Sequence, residues 1–159
     1  MTLVRAIREQ DNAVVADLIR TSLKEFGLDK PGTAYFDPQL DHLSNYYQEI
    51  EKAEYFVVED EGDIVGCGGF APISDEVVEL QKLYVTQKRR GKGYSSALLK
   101  TIFHQAKLAG FKNIYLETSS ELATAVSVYE HYGFKRLSKS MIEDGSHDAM
   151  DIWMIKPLT

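Results

Sequence analysis

The stretch Glu79 to Ser96, ELQKLYVTQKRRGKGYSS, gathers the residue types able to do chemistry in this 159-residue chain. An alternating run of strand type leads into a loop that holds Lys88, Arg89, Arg90 and Lys92 with Gly91 and Gly93, and a long helical pattern follows. Free N–H groups at a helix N-terminus, with the positive end of the helix dipole, favour an anion, and glycines there let phosphate approach the backbone. From charge and glycine alone, a glycine turn inside a solvated basic patch explains the segment equally well. Glu79 alternates with Gln81, Leu83 and Val85, so a strand here would put all four on one face, and polar residues on an internal strand mark a lined cleft.

Two known phosphate motifs fail. A P-loop needs glycine five positions before its Gly-Lys pair, and counting back from Gly91 gives Thr86. Gly66, Gly68 and Ala71 match a GxGxxA spacing, but Pro72 follows and no helix opens there, so the dinucleotide-binding context is missing and the segment reads as a hairpin strand. His42, His104, His131 and His147 are scattered without metal-ligand spacing, and Cys67 lies in a strand, so neither a metal nor thiol catalysis is expected. His147 either lines a substrate pocket or sits in an exposed loop, the second being the commoner role for such a histidine.

The elements that must position these residues follow from periodicity. A short strand from Leu3 to Arg8 precedes Asp11 and a helix with Val14, Val15, Leu18, Ile19, Leu23 and Phe26 on one stripe, stopped by Gly27. Asp37 and Pro38 suit an N-cap and first helical position, with Leu40, Leu43, Tyr47 and Ile50 continuing at helical spacing. Tyr55 to Glu59 and Ile64 to Phe70 form a hairpin about the turn Asp60 to Asp63, and Val77 to Val85 adds a third strand. A helix over 93–109 ends at Gly110, Ile114 to Glu117 is a buried strand, Glu121 to Tyr132 is a helix ended by Gly133, and strands from Phe134 and over 149–155 close the chain. The expected order is β-α-α-β-β-β-α-β-α-β-β, an α/β (α+β) fold with a mixed, mostly antiparallel sheet. No repeat, linker or low-complexity tract divides the chain, so 1–159 is expected to be one domain.

Composition bounds the partners. The net charge of −6 argues against nucleic acid, whose phosphates require clustered cations on a basic face. A single cysteine permits no intrachain disulfide, and no run approaches the roughly 18 apolar residues of a membrane span, so a soluble cytoplasmic protein without membrane contact is expected.

From the LYV strand end through the glycine loop and helix to YLET and AVSVYEHYGF, about half the chain resembles the GNAT superfamily of N-acetyltransferases, which use acetyl-coenzyme A. That family's pyrophosphate loop reads R/Q-x-x-G-x-G/A, and Arg90, Gly93 and Ser95 fill its defined positions. Ser95 replaces the usual Gly or Ala, and Gln87 stands where the family has proline. The resemblance implies acetyl-CoA as co-substrate, bound by Arg90, Gly91, Lys92, Gly93, Tyr94 and Ser95 and by the strand end Leu83, Tyr84 and Val85. Backbone groups of Leu83 and Val85 would meet the pantetheine arm and the acetyl carbonyl. It implies Glu79 as general base and Tyr129, five residues before Phe134, as the acid that protonates the departing sulfur. Otherwise Glu79 would pair with Lys82 or Arg136, and Tyr129 would only pack, as Tyr132 is expected to do.

The chemistry explains why such groups are useful. An amine of pKa ~10.4 is neutral only about 0.04% of the time at pH 7, so deprotonation costs about 4.6 kcal/mol. A base offsets this and an acid assists the thiolate. The expected reaction is direct acetyl transfer to the amine of a small molecule or peptide in a ternary complex, the alternative being a non-catalytic acyl-CoA-binding sensor. Glu25, Asp29, Asp37 and Asp41 against Lys30 alone, with Tyr35 and Phe36 between, are consistent with a cationic acceptor and equally with a solvated acidic loop. Dimerisation is common in the family, and the final strands would offer a homodimer interface.

Overall fold

The computed structural model describes residues 1–142 and 147–159. Seven strands, β1 (Thr2–Ala6), β2 (Glu54–Asp60), β3 (Asp63–Pro72), β4 (Val77–Val85), β5 (Asn113–Thr118), β6 (Lys135–Leu137) and β7 (Ile152–Pro157), form one sheet in the order β1-β2-β3-β4-β5-β7-β6. Four helices, α1 (Asn12–Glu25), α2 (Leu43–Gln48), α3 (Tyr94–Leu108) and α4 (Ala123–His131), fall in the expected places along the chain. The only parallel strand pair among the described residues is β4 with β5, the two being joined through α3, whereas the other neighbours run antiparallel. Among the described residues no helix is long and apolar enough to cross a membrane.

Strand alternation builds two cores from one sheet. Phe56, Val58, Phe70, Val78, Leu80, Ile114 and Leu116 pack under α3 and α4 against Leu98, Leu99, Ile102 and Val126. Tyr55, Val57, Cys67 and Ala71 face the other way and meet Val15, Ile19, Leu23, Leu43 and Tyr47 of α1 and α2. Residues one apart on β2 thus serve opposite layers, as a two-residue period requires.

The second helix is shorter than its periodicity predicts. Residues 40–42 form a 3-10 turn and only Leu43–Gln48 is α-helical. Asp37 does not cap it, because its carboxylate is taken by Lys82 Nζ at 2.7 Å. A tertiary ion pair displaces the local cap.

The consequential irregularity lies in β4. Cys67 and Gly69 of β3 pair with Tyr84 and Gln81, so β4 carries one extra residue, and Lys82 there adopts a φ of +50°. This bulge shifts the alternation. Before it, Val78 and Leu80 face the α3 layer; beyond it, Leu83 and Val85 do, while Tyr84 joins the α1 layer. Glu79 and Gln81 therefore share no face with Leu83 and Val85, contrary to the simple two-residue reading. β4 pairs with β5 only over Val77 to Glu79 but stays on β3 through Val85, so the two parallel strands separate as the bulge begins.

A tyrosine holds this kink. Tyr55, 2% exposed and stacked on Tyr47 at 4.9 Å, donates its hydroxyl to the Lys82 carbonyl at 2.7 Å. Tyr55→Phe should destabilise the protein by about 1–2 kcal/mol by leaving that carbonyl short of a donor. Urea unfolding with an unchanged m-value measures it, and a variant as stable as wild type would show that the bulge stands without this bond.

Candidate active site

The gap between β4 and β5 opens into a cleft of about 790 Å³ bounded by Leu80 to Val85, by Leu116 to Thr118, and by the N-terminal turns of α3 and α4. At its α3 end, Gly91 and Gly93 take φ values of +78° and +85°, a left-handed conformation that side chains disfavour, and no neighbouring atom crowds either one. Gly93 occupies the N-cap and no side chain caps the helix, so the first N–H groups of α3 remain available at the cleft wall. Gly91, Gly93, Tyr94 and Ser95 all line the cleft.

The loop cations are arranged differently from the expected phosphate cluster. Arg90 holds Glu25 of α1 through both terminal nitrogens, the longer contact being 3.0 Å, donates from Nε to the Val85 carbonyl at 3.1 Å, and stacks on Phe26. Arg89 bonds Asp60 at 3.2 Å and reaches Asp63 at 3.6 Å. Lys92 is exposed and lies outside the cleft lining, and the Tyr94 hydroxyl points to the Asp60 carboxylate rather than into the cleft. Arg89 and Arg90 line the cleft with their guanidinium groups already paired, and the uncapped backbone amides of α3 lie at the same end.

Glu79 is half-buried beside the cleft but does not line it. Its Oε1 accepts from Gln81 Nε2 at 2.7 Å, and the Gln81 Oε1 accepts from the Tyr47 hydroxyl at 2.6 Å. Neither expected cation pairs with it among the described residues, because Lys82 is engaged by Asp37. Burial pushes the Glu79 carboxyl above its ordinary 4.5, partly opposed by the Gln81 hydrogen bond and reinforced by the charge of Glu117. Glu117, which sequence reasoning passed over inside YLET, does line the cleft and accepts from the Tyr115 hydroxyl at 2.6 Å and from Ser140.

Tyr129 projects from α4 into the cleft wall, packed edge-on against Phe134 at 5.6 Å. No hydrogen bond to its hydroxyl is formed among the described residues, and burial raises its pKa well above 10, so the phenol keeps its proton through neutral pH. Tyr132 packs edge-on against Phe103 and bonds Ser96, as a structural tyrosine would. Tyr84 lines the cleft beside them with its own phenol raised by burial.

At the opposite end, Asp37 takes Lys82 at 2.7 Å and His147 Nε2 at 3.0 Å, forming a cluster whose Lys82 side chain is only 5% exposed. Burial alone would raise Asp37, but the His147 hydrogen bond and the Lys82 charge hold it below the usual carboxylate range. His147 is thus a cleft residue and not a free loop side chain. The acidic segment is largely spent internally: Glu25 is on Arg90, Asp37 is on Lys82, and Asp41 is on Arg20 at 2.8 Å. A general pull on cationic acceptors by this loop is not supported.

With that geometry in view, the chain belongs to the Acetyltransferase (GNAT) family, whose model matches residues 20–134. It is 38% identical over 161 aligned residues to the uncharacterized N-acetyltransferase YjgM of Escherichia coli K12, covering 98% of this chain and 95% of that one. Its fold matches an acetyltransferase of the GNAT family from Staphylococcus aureus Mu50 at a TM-score of 0.89, with 17% identity and both chains fully covered. It also matches the PaiA N-acetyltransferase of Thermoplasma acidophilum, solved in complex with coenzyme A, at a TM-score of 0.78, with 19% identity and 99% of each chain covered. The protein is an acetyltransferase.

Gly93→Asp tests the anion site. The φ of +85° strains any side chain there, so folding of the variant is checked by circular dichroism, and the added carboxylate repels phosphate at the helix start. Acetyl-CoA affinity measured by calorimetry should fall roughly 10- to 100-fold, the worth of a charge-assisted hydrogen bond. Unchanged affinity in the folded variant would place the phosphates elsewhere.

Proposed function

We propose that the protein transfers acetyl from acetyl-CoA to an amine by direct attack in a ternary complex. The observation that carries this reading is the cleft itself: uncapped α3 amides at one end, the open edge of β4 along its length, and an unpartnered tyrosine hydroxyl on the α4 wall. The amides suit a pyrophosphate, and the edge of Leu83 to Val85 offers backbone groups to an extended amide-bearing arm. The bound thioester supplies the acetyl group and a thiolate leaving group.

Each residue then has a distinct task. Leu83, Tyr84 and Val85 orient the arm, and a backbone N–H on this strand end faces the charge developing on the carbonyl oxygen. Glu79, recessed behind Gln81, accepts the amine proton through water. Tyr129, protonated at neutral pH as any phenol is, gives its proton to the sulfur as the carbon–sulfur bond breaks. Arg90 holds Glu25 and the loop in place, and Gly91, Gly93 and Ser95 keep the backbone accessible, with Tyr94 anchoring the turn and Lys92 adding a solvated positive charge nearby. The whole chain, 1–159, acts as one N-acetyltransferase unit. Its acceptor is a small-molecule or peptide amine, and light scattering at twice the 18.0 kDa chain mass would identify a homodimer.

One observation favours a second assignment of the base: Glu117 lines the cleft where Glu79 does not. The two carboxylates are separated by their pH profiles.

Thiol release from acetyl-CoA across a panel of amines tests the activity, and no release with any of them would overturn it. Tyr129→Phe should lower kcat about 10²-fold with acetyl-CoA affinity nearly unchanged, and a fully active Phe variant would reduce it to packing.

A raised Glu79 pKa means that the base is lost on acidification at a higher pH than for an ordinary carboxylate, so kcat/KM should show an acid limb above pH 4.5. Glu79→Gln should remove that limb and depress the rate at neutral pH, with partial recovery at high pH where the amine deprotonates unaided. If Glu117→Gln removes the limb and Glu79→Gln does not, the base is Glu117.

A further inference from the structure

The least explained feature beside the cleft is the chain of side chains leading away from Glu79 into α2. Tyr47 is 3% exposed, stacked on Tyr55 at 4.9 Å and edge-on to Tyr46 at 5.1 Å, so its ring is fixed. Its hydroxyl meets Gln81 Oε1 at 2.6 Å, and Gln81 Nε2 meets Glu79 Oε1 at 2.7 Å. A carboxamide has an oxygen that only accepts and a nitrogen that only donates. Turned the other way, it would set its oxygen against the Glu79 carboxylate.

We propose that Tyr47 is a positioning residue for the acetyl-transfer base: by donating to the Gln81 oxygen it locks the carboxamide with its N–H toward Glu79. This assigns α2, a six-residue helix outside the cleft, a part in the chemistry. The sharing of one ring stack between Tyr47, which fixes Gln81, and Tyr55, which binds the Lys82 carbonyl, ties the orientation of the amide to the bulge that opens the cleft. The other charged and titratable groups bearing on Glu79 are Tyr46 from α2, Glu117 from β5, Lys82 from the bulge and His147 from the last loop. None of them hydrogen-bonds the Gln81 carboxamide among the described residues. The mechanistic value of the lock rests on Glu79 being the base, but the lock itself is measurable without turnover.

The test is carboxyl-carbon NMR of protein labelled with 13C-glutamate, the Glu79 signal being assigned by its absence in Glu79→Gln. A donor hydrogen bond favours the charged carboxylate, so losing it raises the titration midpoint. Tyr47→Phe keeps the ring stack and should move the Glu79 midpoint upward by roughly 1 unit, and Gln81→Met should move it at least as far. In the Gln81→Met background, adding Tyr47→Phe should move it no further, because the group through which Tyr47 acts is gone. Leu43→Val, a cavity variant in the same helix, should lower the melting temperature and leave the midpoint in place.

An unmoved midpoint in Tyr47→Phe, an additive shift in the double variant, or an equal shift in Leu43→Val would each overturn the proposal. If the midpoint moves as stated but the acid limb of kcat/KM does not follow it, the positioning stands and the assignment of Glu79 as base fails.

Discussion

Lys82 adopts a left-handed backbone conformation in the middle of a nine-residue strand, and most of the site depends on it. A lysine has no intrinsic preference for that region, so the conformation costs free energy that its surroundings must offset. They do so by three contacts. The ammonium is buried on Asp37, the carbonyl accepts from Tyr55, and β3 presents glycine at 68 and 69, where a Cβ would meet Leu83 and the β2 backbone at 2.6 Å or less. The result is a strand that stays paired to β3 while leaving β5, and the exposed edges become the walls of a cleft. Without the bulge, β4 and β5 would continue their ladder and the polar backbone groups would satisfy one another.

The electrostatics of the site are mostly internal. Arg89, Arg90, Lys82 and Arg20 are matched to Asp60, Glu25, Asp37 and Asp41. The Lys82–Asp37 pair is buried, whereas the other three are partly exposed and contribute little to stability. Arg90 ties the loop before α3 to Glu25 of α1, and Arg20 of the same helix holds Asp41 in the segment before α2. The N–H groups at the start of α3 are left uncapped, and their partial positive charge is held in place by the backbone. Arg90 shows the distinction: its bidentate hold on Glu25 ties the end of α1 to the loop before α3.

At the other end, Asp37, Lys82 and His147 bring together the loop before α2, the bulge and the last loop. The Ala149 N–H also donates to the Gly32 carbonyl at 3.1 Å, so the same two loops meet through their backbones. These contacts hold the three segments together beside the end of the cleft that Glu117 and His147 line.

The sequence alone determined the element order, the complete span of β4, the helix that follows it and the glycine loop between them. Strand and helix periods are local, and left-handed turns at Gly91 and Gly93 are paid for by residue type. It also pointed to Tyr129 through family resemblance. What it could not show is what depends on partners distant in the chain. The bulge has no local signature, since Lys82 is an ordinary strand-surface residue in the sequence, and an unbroken two-residue period puts Leu83 and Val85 on the face of Glu79 and Gln81. Asp37 reads as a helix cap until Lys82, 45 positions away, takes its carboxylate. The basic loop reads as a phosphate cluster until Glu25 and Asp60 claim its arginines. Charge and periodicity fix what a residue can do, but the choice among its possible partners is made by packing, because only the folded sheet and its two helical layers bring those partners within hydrogen-bonding distance.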